Sequence, residues 1–184
     1  FMQNKNLPAC DLCFDEALDR YLQIKRNVLS PSTVRGYTSL RNNAYGTLNA
    51  MPLNKITTQD VQECINRLAI DHSAKTCRNA LGLITAVIST FMPDKHLHVT
   101  LPQAVQNDFY TPTDDDIKKL LSVFKYTELK KAVMLAAFGT LRRSEICGLY
   151  SDDISGNVIH IHRAIVESGK GWVLKDFPKN DSNL

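Results

Sequence analysis

"AAFGTLRRSEICGL", residues 136–149, is the stretch on which the reading of this chain turns. An apolar run leads into it, as a buried helix would require, yet Arg142 and Arg143 stand side by side near its middle, with Glu145 close behind. Guanidinium groups in an apolar, helix-rich setting are costly unless each meets a carboxylate, a phosphate or water. Gly139 and Thr140 interrupt helical propensity just ahead of the arginines, which predicts a helix end or turn there. If Arg142 opens the next helix, Glu145 lies three residues on and on the same face. Its carboxylate can then bond Arg142 or the nearby backbone and hold the guanidinium in one rotamer. A fork held in that way suits a phosphate, because its paired N–H groups match two non-bridging oxygens. The same residues also fit an ordinary surface ion pair.

Upstream, "ELKKAVMLAAFGTL" reads as a largely buried helix. Before it, "TPTDDDIKKLLSVF" offers Thr113 as a helix cap, with Asp114, Asp115 and Asp116 placed against the positive end of the helix dipole. Downstream the character becomes β: "VIHIHRAIV" alternates and "GWVLKDF" follows across the turn "ESGKG", which predicts a hairpin. His160 and His162 are read as ordinary residues of the first strand.

The first half of the chain reads as four helices. "LCFDEALDRYLQIKR" carries one apolar stripe; "SPSTVRGYTSLRNNAYGTL" starts with Ser30 as N-cap and Pro31 at the first helical position; Gly36 weakens that helix without ending it. "ITTQDVQECINRLAI" is capped by Thr58, and "SAKTCRNALGLITAVISTFM" begins at Ser73. Between Pro93 and Pro112 the periodicity lapses, although "HLHVTLP" could form a short extended piece. The organisation predicted is a helical domain over 1–92, a linker over 93–112 and a second unit over 113–184.

With 184 residues and 43% hydrophobic composition the chain can bury a core. No apolar run approaches the roughly 20 residues of a membrane span, and the N-terminus lacks the pattern of a signal peptide, so a cytoplasmic location and no membrane partner are expected. Five cysteines, an odd number, point to reduced thiols, and the Cys10–Cys13 pair has no second pair at zinc-site spacing, so no metal is expected. Net charge is +3, unevenly placed: between Arg20 and Arg78 nine Lys or Arg stand against three acids. Such an excess fits a polyanionic partner.

"FGTLRRSEICGLYSDDI" resembles the first motif of the tyrosine recombinases, the integrases of phages and conjugative transposons, with Leu141, Arg142, Ser144, Glu145, Leu149 and Asp153 falling on the pattern. "SAKTCRNALGLITAVI" looks like the last long helix of that family's core-binding domain, and "WVLKDFPKNDS" like the hairpin that carries its catalytic lysine. The resemblance implies a mainly α fold with a small antiparallel β-hairpin: a four-helix SAM-like core-binding domain, then part of an α+β catalytic domain. It implies cutting and rejoining of duplex DNA through a covalent phosphotyrosine, without metal or other cofactor, by a homotetramer on DNA. Arg142 would neutralise the phosphate, steadied by Glu145, and Lys179 would be the general acid, with Lys175 the competing lysine. Asn180 departs from the usual Thr after that lysine.

The family's His-x-x-Arg motif and nucleophilic tyrosine have no counterpart before Leu184, and none of the six tyrosines matches the nucleophile. A recombinase fragment that binds DNA without cleaving it is therefore expected. The alternatives are a non-catalytic helical DNA-binding regulator on the same scaffold and a helical protein-interaction module. DNA contacts are expected from the helix starts richest in phosphate partners, through Thr33, Arg35, Arg41, Lys75, Thr76, Arg78 and Asn79, with Arg143 as a further backbone contact. Arg78 and Asn79 are the candidates for reaching a base edge.

Overall fold

A computed structural model describes residues 12–105 and 108–176, which fall into two compact units, Phe1–Gln106 and Asn107–Leu184. The fold is mainly helical with two small antiparallel sheets.

The first unit holds α1 (Phe14–Lys25), α2 (Pro31–Asn43), a 3-10 turn (Gly46–Ala50), α3 (Thr58–Asp71) and α4 (Ala74–Phe91). Its caps are local and polar. Ser30 and Ser73 each accept the backbone N–H three residues on, from Thr33 and Thr76 respectively. At α3 the cap is Thr57 rather than Thr58, because Asp60 stands three residues after Thr57 and closes a reciprocal capping box. Residues 12–14 are fastened to 51–53 through Phe14 N–H to Met51 O (2.9 Å) and Leu53 N–H to Leu12 O (2.9 Å).

Between these helices lies the core: Leu12, Phe14, Leu18, Tyr45, Ile56, Ile65, Leu83, Ile84 and Ile88 are essentially inaccessible. Each such side chain contributes roughly 1.5–3 kcal/mol through burial, which is why an amphipathic stripe is enough to fix each helix. Tyr45 sits edge-on to Phe14 at 5.1 Å and donates its hydroxyl to Ala80 O (3.3 Å), so the one polar atom it buries is satisfied. Residues 97–101 form no strand. Leu97, Val99 and Leu101 pack onto this core, while Gln62 exchanges amide hydrogen bonds with the Thr100 backbone at 2.8 and 3.0 Å, standing in for a strand partner.

The second unit contains α5 (Asp114–Val123), α6 (Thr127–Ala137), α7 (Arg143–Gly148), a 3-10 turn (Ser151–Asp153) and four strands. Thr113 caps α5 in a box with Asp116. β1 (Ile154–Ser155) pairs with β2 (Val158–Ile159), and β3 (Arg163–Glu167) with β4 (Trp172–Asp176). The alternating run expected as one strand thus serves two hairpins. His160, Ile161 and His162 belong to neither, although the His160 N–H reaches Asp153 O (2.8 Å) beyond the end of the β1–β2 pairing.

α6 departs from the expectation of a largely buried helix: none of its residues is fully buried, and Met134 and, just beyond it, Phe138 are 50% and 65% exposed. Apolar composition says what a helix could bury, not that a neighbour covers it. Among the described residues of this unit the only buried apolar side chains are Leu141 and Ala164.

Candidate functional site

α6 stops where the sequence breaks its propensity. Thr140 takes a left-handed backbone (φ 54°), and the Leu141 N–H returns to Leu135 O at 3.3 Å. Gly139 is required by crowding, since a Cβ there would lie 2.7 Å from Leu135 O. Leu141 anchors the turn by burial, and Arg142 follows in extended conformation as the N-cap of α7.

An arginine cannot cap with its own side chain, and the missing acceptor comes from Glu145. One carboxylate oxygen takes the Arg142 backbone N–H (2.8 Å), the other its Nη1 (2.9 Å). The side chains are 61% exposed for Arg142 and 6% for Glu145, so the anion lies beneath while most of the cation faces outward. Burial raises the Glu145 carboxyl, but the backbone N–H and the guanidinium of Arg142 outweigh it, and the net shift is downward. The pair therefore presents a guanidinium whose orientation is fixed before any anion arrives. Arg143, the first residue of α7, is exposed beside it.

Behind α7 is a second polar anchor. Asp153, 5% exposed, accepts the Tyr150 N–H (2.7 Å) and Arg163 Nη2 (2.5 Å), and the Arg163 guanidinium lies 4.1 Å over the Tyr150 ring. The backbone bond from Tyr150 holds the Asp153 carboxyl below the usual range, with Arg163 adding to it. Lys175 stands in β4 opposite Ala164 and is half-buried, whereas Lys179 lies outside the described residues. The His160 and His162 rings stack at 5.9 Å, clear of either strand.

In the first unit, Lys75, Arg78 and Asn79 fall at helical spacing on one exposed face of α4, opposite the buried Cys77, Ala80 and Ile84. Thr33 and Thr76 are half-buried and their hydroxyls hydrogen-bond the capping serines at 2.8 and 3.1 Å. Arg35 is exposed on α2. Arg41 Nη2 is engaged within the domain, by Asp15 (3.1 Å) and Asp19 (2.7 Å) of α1.

Three residues that sequence reasoning passed over are cations with fixed partners. Arg67 donates to Tyr45 O (3.2 Å), Lys95 to Leu53 O (2.8 Å) and Arg163 to Asp153. In each the partner lies ten or more positions away, outside any local periodicity. Among the described residues no group of three or more potential ligands could hold a metal ion, and no helix is long and apolar enough to cross a membrane.

Residues 13–69 match the family model described as the phage integrase N-terminal SAM-like domain. A search of curated protein sequences gave no match. Among solved structures, the chain is similar to the Tn1549 transposon integrase in complex with transposon right end DNA, at 22% identity and a TM-score of 0.64, over 90% of this chain and 58% of that one. The same integrase with a circular intermediate DNA gives 20% identity and a TM-score of 0.68, with 90% and 58% covered. A lambda integrase tetramer bound to a Holliday junction gives 19% and 0.64, over 91% of this chain and 49% of that one. The chain thus spans between about half and three fifths of the length of these structures. Residues 13–69 thus match the phage integrase SAM-like domain, and the chain shares its fold with the integrases of these structures.

Proposed function

We propose that this chain is the core-site DNA-binding part, and the first portion of the catalytic part, of a site-specific DNA recombinase. The observation that carries the reading is the Arg142–Glu145 pair, a largely exposed guanidinium locked by a buried carboxylate.

In this reading a tyrosine hydroxyl attacks a backbone phosphorus. The new P–O bond forms as the bond to the 5′ oxygen breaks, and the 3′-phosphotyrosine conserves the bond energy for religation. Arg142 neutralises the charge that builds on the non-bridging oxygens, an effect worth about 3 kcal/mol for a well-placed donor. Lys179 gives its proton to the departing 5′ oxygen, with Lys175 as the competing assignment. None of the six tyrosines of this sequence is taken as the nucleophile. Tyr45 is buried against Ala80, Tyr110 donates to Asp116, and Tyr150 lies beneath Arg163.

Duplex DNA is the partner, and in the whole protein a homotetramer on DNA. Lys75, Thr76, Arg78 and Asn79 at the start of α4, Thr33 and Arg35 at the start of α2, and Arg143 meet the backbone, with Arg78 and Asn79 as the candidates for reading a base edge. Arg41 drops out of this set because Asp15 and Asp19 already engage it.

The test is made on the natural gene product that contains this sequence. Arg142→Ala should reduce covalent protein–DNA complex by about 10²-fold or more while duplex affinity stays within about threefold. Undiminished covalent complex would remove Arg142 from the chemistry. No covalent complex from the unaltered protein, with salt-sensitive binding retained, would favour a non-catalytic DNA-binding regulator.

A further inference from the structure

We propose that Arg163 is a positioning residue that sets the hairpin lysine against Arg142, an inference resting on the roles assigned above to Arg142 and to that lysine. The second unit has little apolar burial to fix its parts, with only Leu141 and Ala164 buried among its described apolar residues. Hydrophobic contact is also non-directional. The placement of α7 against the β3–β4 hairpin therefore depends on close backbone packing and on directional polar bonds.

Both converge on Arg163. At its C-terminal end α7 touches the hairpin through Gly148, where a Cβ would come within 3.1 Å of Ala164 Cα and of the Arg163 carbonyl oxygen. Next to that contact, one buried carboxylate ties two pieces of chain: Asp153 accepts the Tyr150 N–H, just past α7, and Arg163 Nη2, at the first residue of β3. Stacking over Tyr150 at 4.1 Å keeps the guanidinium from swinging away.

The sheet register carries this anchor onward, since Arg163 faces Asp176 and Ala164 faces Lys175. Fixing β3 at its start thus fixes β4 at its end, where Lys175 is the penultimate residue and Asp176, the last, precedes Lys179 by three positions. At the other end of the six-residue α7 is Arg142. A displacement of about 1 Å between two reacting groups can cost about 10²-fold in rate. Arg163 has no need to touch DNA to control that distance.

The test uses the full natural protein with two substrates, ordinary DNA and DNA carrying a 5′-bridging phosphorothiolate at the scissile position. The thiolate leaves without taking a proton, so the second substrate bypasses the lysine. Arg163→Ala should cleave ordinary DNA about 10- to 100-fold more slowly, bind duplex as tightly as before, and return to within about threefold of the unaltered protein on the phosphorothiolate. Arg163→Lys, which keeps the charge but not the stacked fork, should fall between and carries the same test if Arg163→Ala does not fold. An equal loss on both substrates, or no loss on either, overturns the proposal. Arg142→Ala and the lysine variants report separately on the reading beneath it. Arg142→Ala should fail on both substrates, and the variant of the true general acid should be restored by the phosphorothiolate. If all of these cleave ordinary DNA like the unaltered protein, the underlying reading is wrong and the proposal falls with it.

Discussion

Glu145 lies under Arg142, bonded at 2.8 Å to its backbone N–H and at 2.9 Å to its guanidinium, and leaves 61% of the arginine side chain exposed. One carboxylate thereby caps a helix and aims a cation.

This pair gives the second unit a specific acid sensitivity. In the folded state the Glu145 carboxyl is held below its ordinary value of 4.5, so its contribution to stability is complete above that value and fades as falling pH protonates it. Glu145→Gln should be less stable than the unaltered chain near neutral pH, and the gap should narrow as pH drops below the ordinary value. Urea denaturation of both proteins across that range measures it. A constant gap would show that the charge is not what Glu145 contributes.

The two arginines Arg78 and Arg41 should separate experimentally. Arg78→Ala should lower the slope of log affinity against log salt by about 0.9, the signature of one lost phosphate contact, in a gel-shift titration with duplex DNA. Arg41→Ala should leave that slope intact and instead reduce stability by about 0.5 kcal/mol, as expected for partly exposed ion pairs with Asp15 and Asp19. Equal salt slopes for both variants would void the distinction.

Ile84 is fully buried in the first unit, and Ile84→Ala should cost about 2–5 kcal/mol through lost transfer energy and the cavity left behind. Val133 on α6 is only half-buried, and Val133→Ala should cost under about 1 kcal/mol. Chemical denaturation of the two variants makes the comparison, and equal losses would mean that α6 is covered as closely as α4.

Gly148→Ala forces a methyl against the backbone of Ala164 and Arg163 at 3.1 Å, where no flexible side-chain end can yield. A destabilisation of about 1–3 kcal/mol confined to the second unit is expected. Gly82→Ala, with nothing within 4 Å, should be neutral or stabilising because alanine favours the helix of α4. Thermal melts of the pair would contradict the packing argument if Gly148→Ala melted no lower than Gly82→Ala.

The sequence by itself determined what depends on neighbours along the chain. The amphipathic stripes placed α1 to α4, Ser30, Ser73 and Thr113 capped where polar side chains precede apolar periodicity, and a spacing of three put Glu145 on Arg142. Where two threonines adjoin, propensity alone chose Thr58, and only the capping box with Asp60 assigns Thr57. What the tertiary structure decided depends on groups distant in sequence. Arg41 reads from the sequence as one more cation of α2, until folding brings Asp15 and Asp19 to it. Alternation marked 158–166 as β, but strand pairing divided it between two hairpins, because alternation specifies a face and not a partner. The apolar α6 was left only partly covered, since hydrophobicity measures the gain from burial without supplying the surface that would bury it. Asp153 and Arg163 met only because the strands placed them together, and that contact joins the arginine helix to the hairpin.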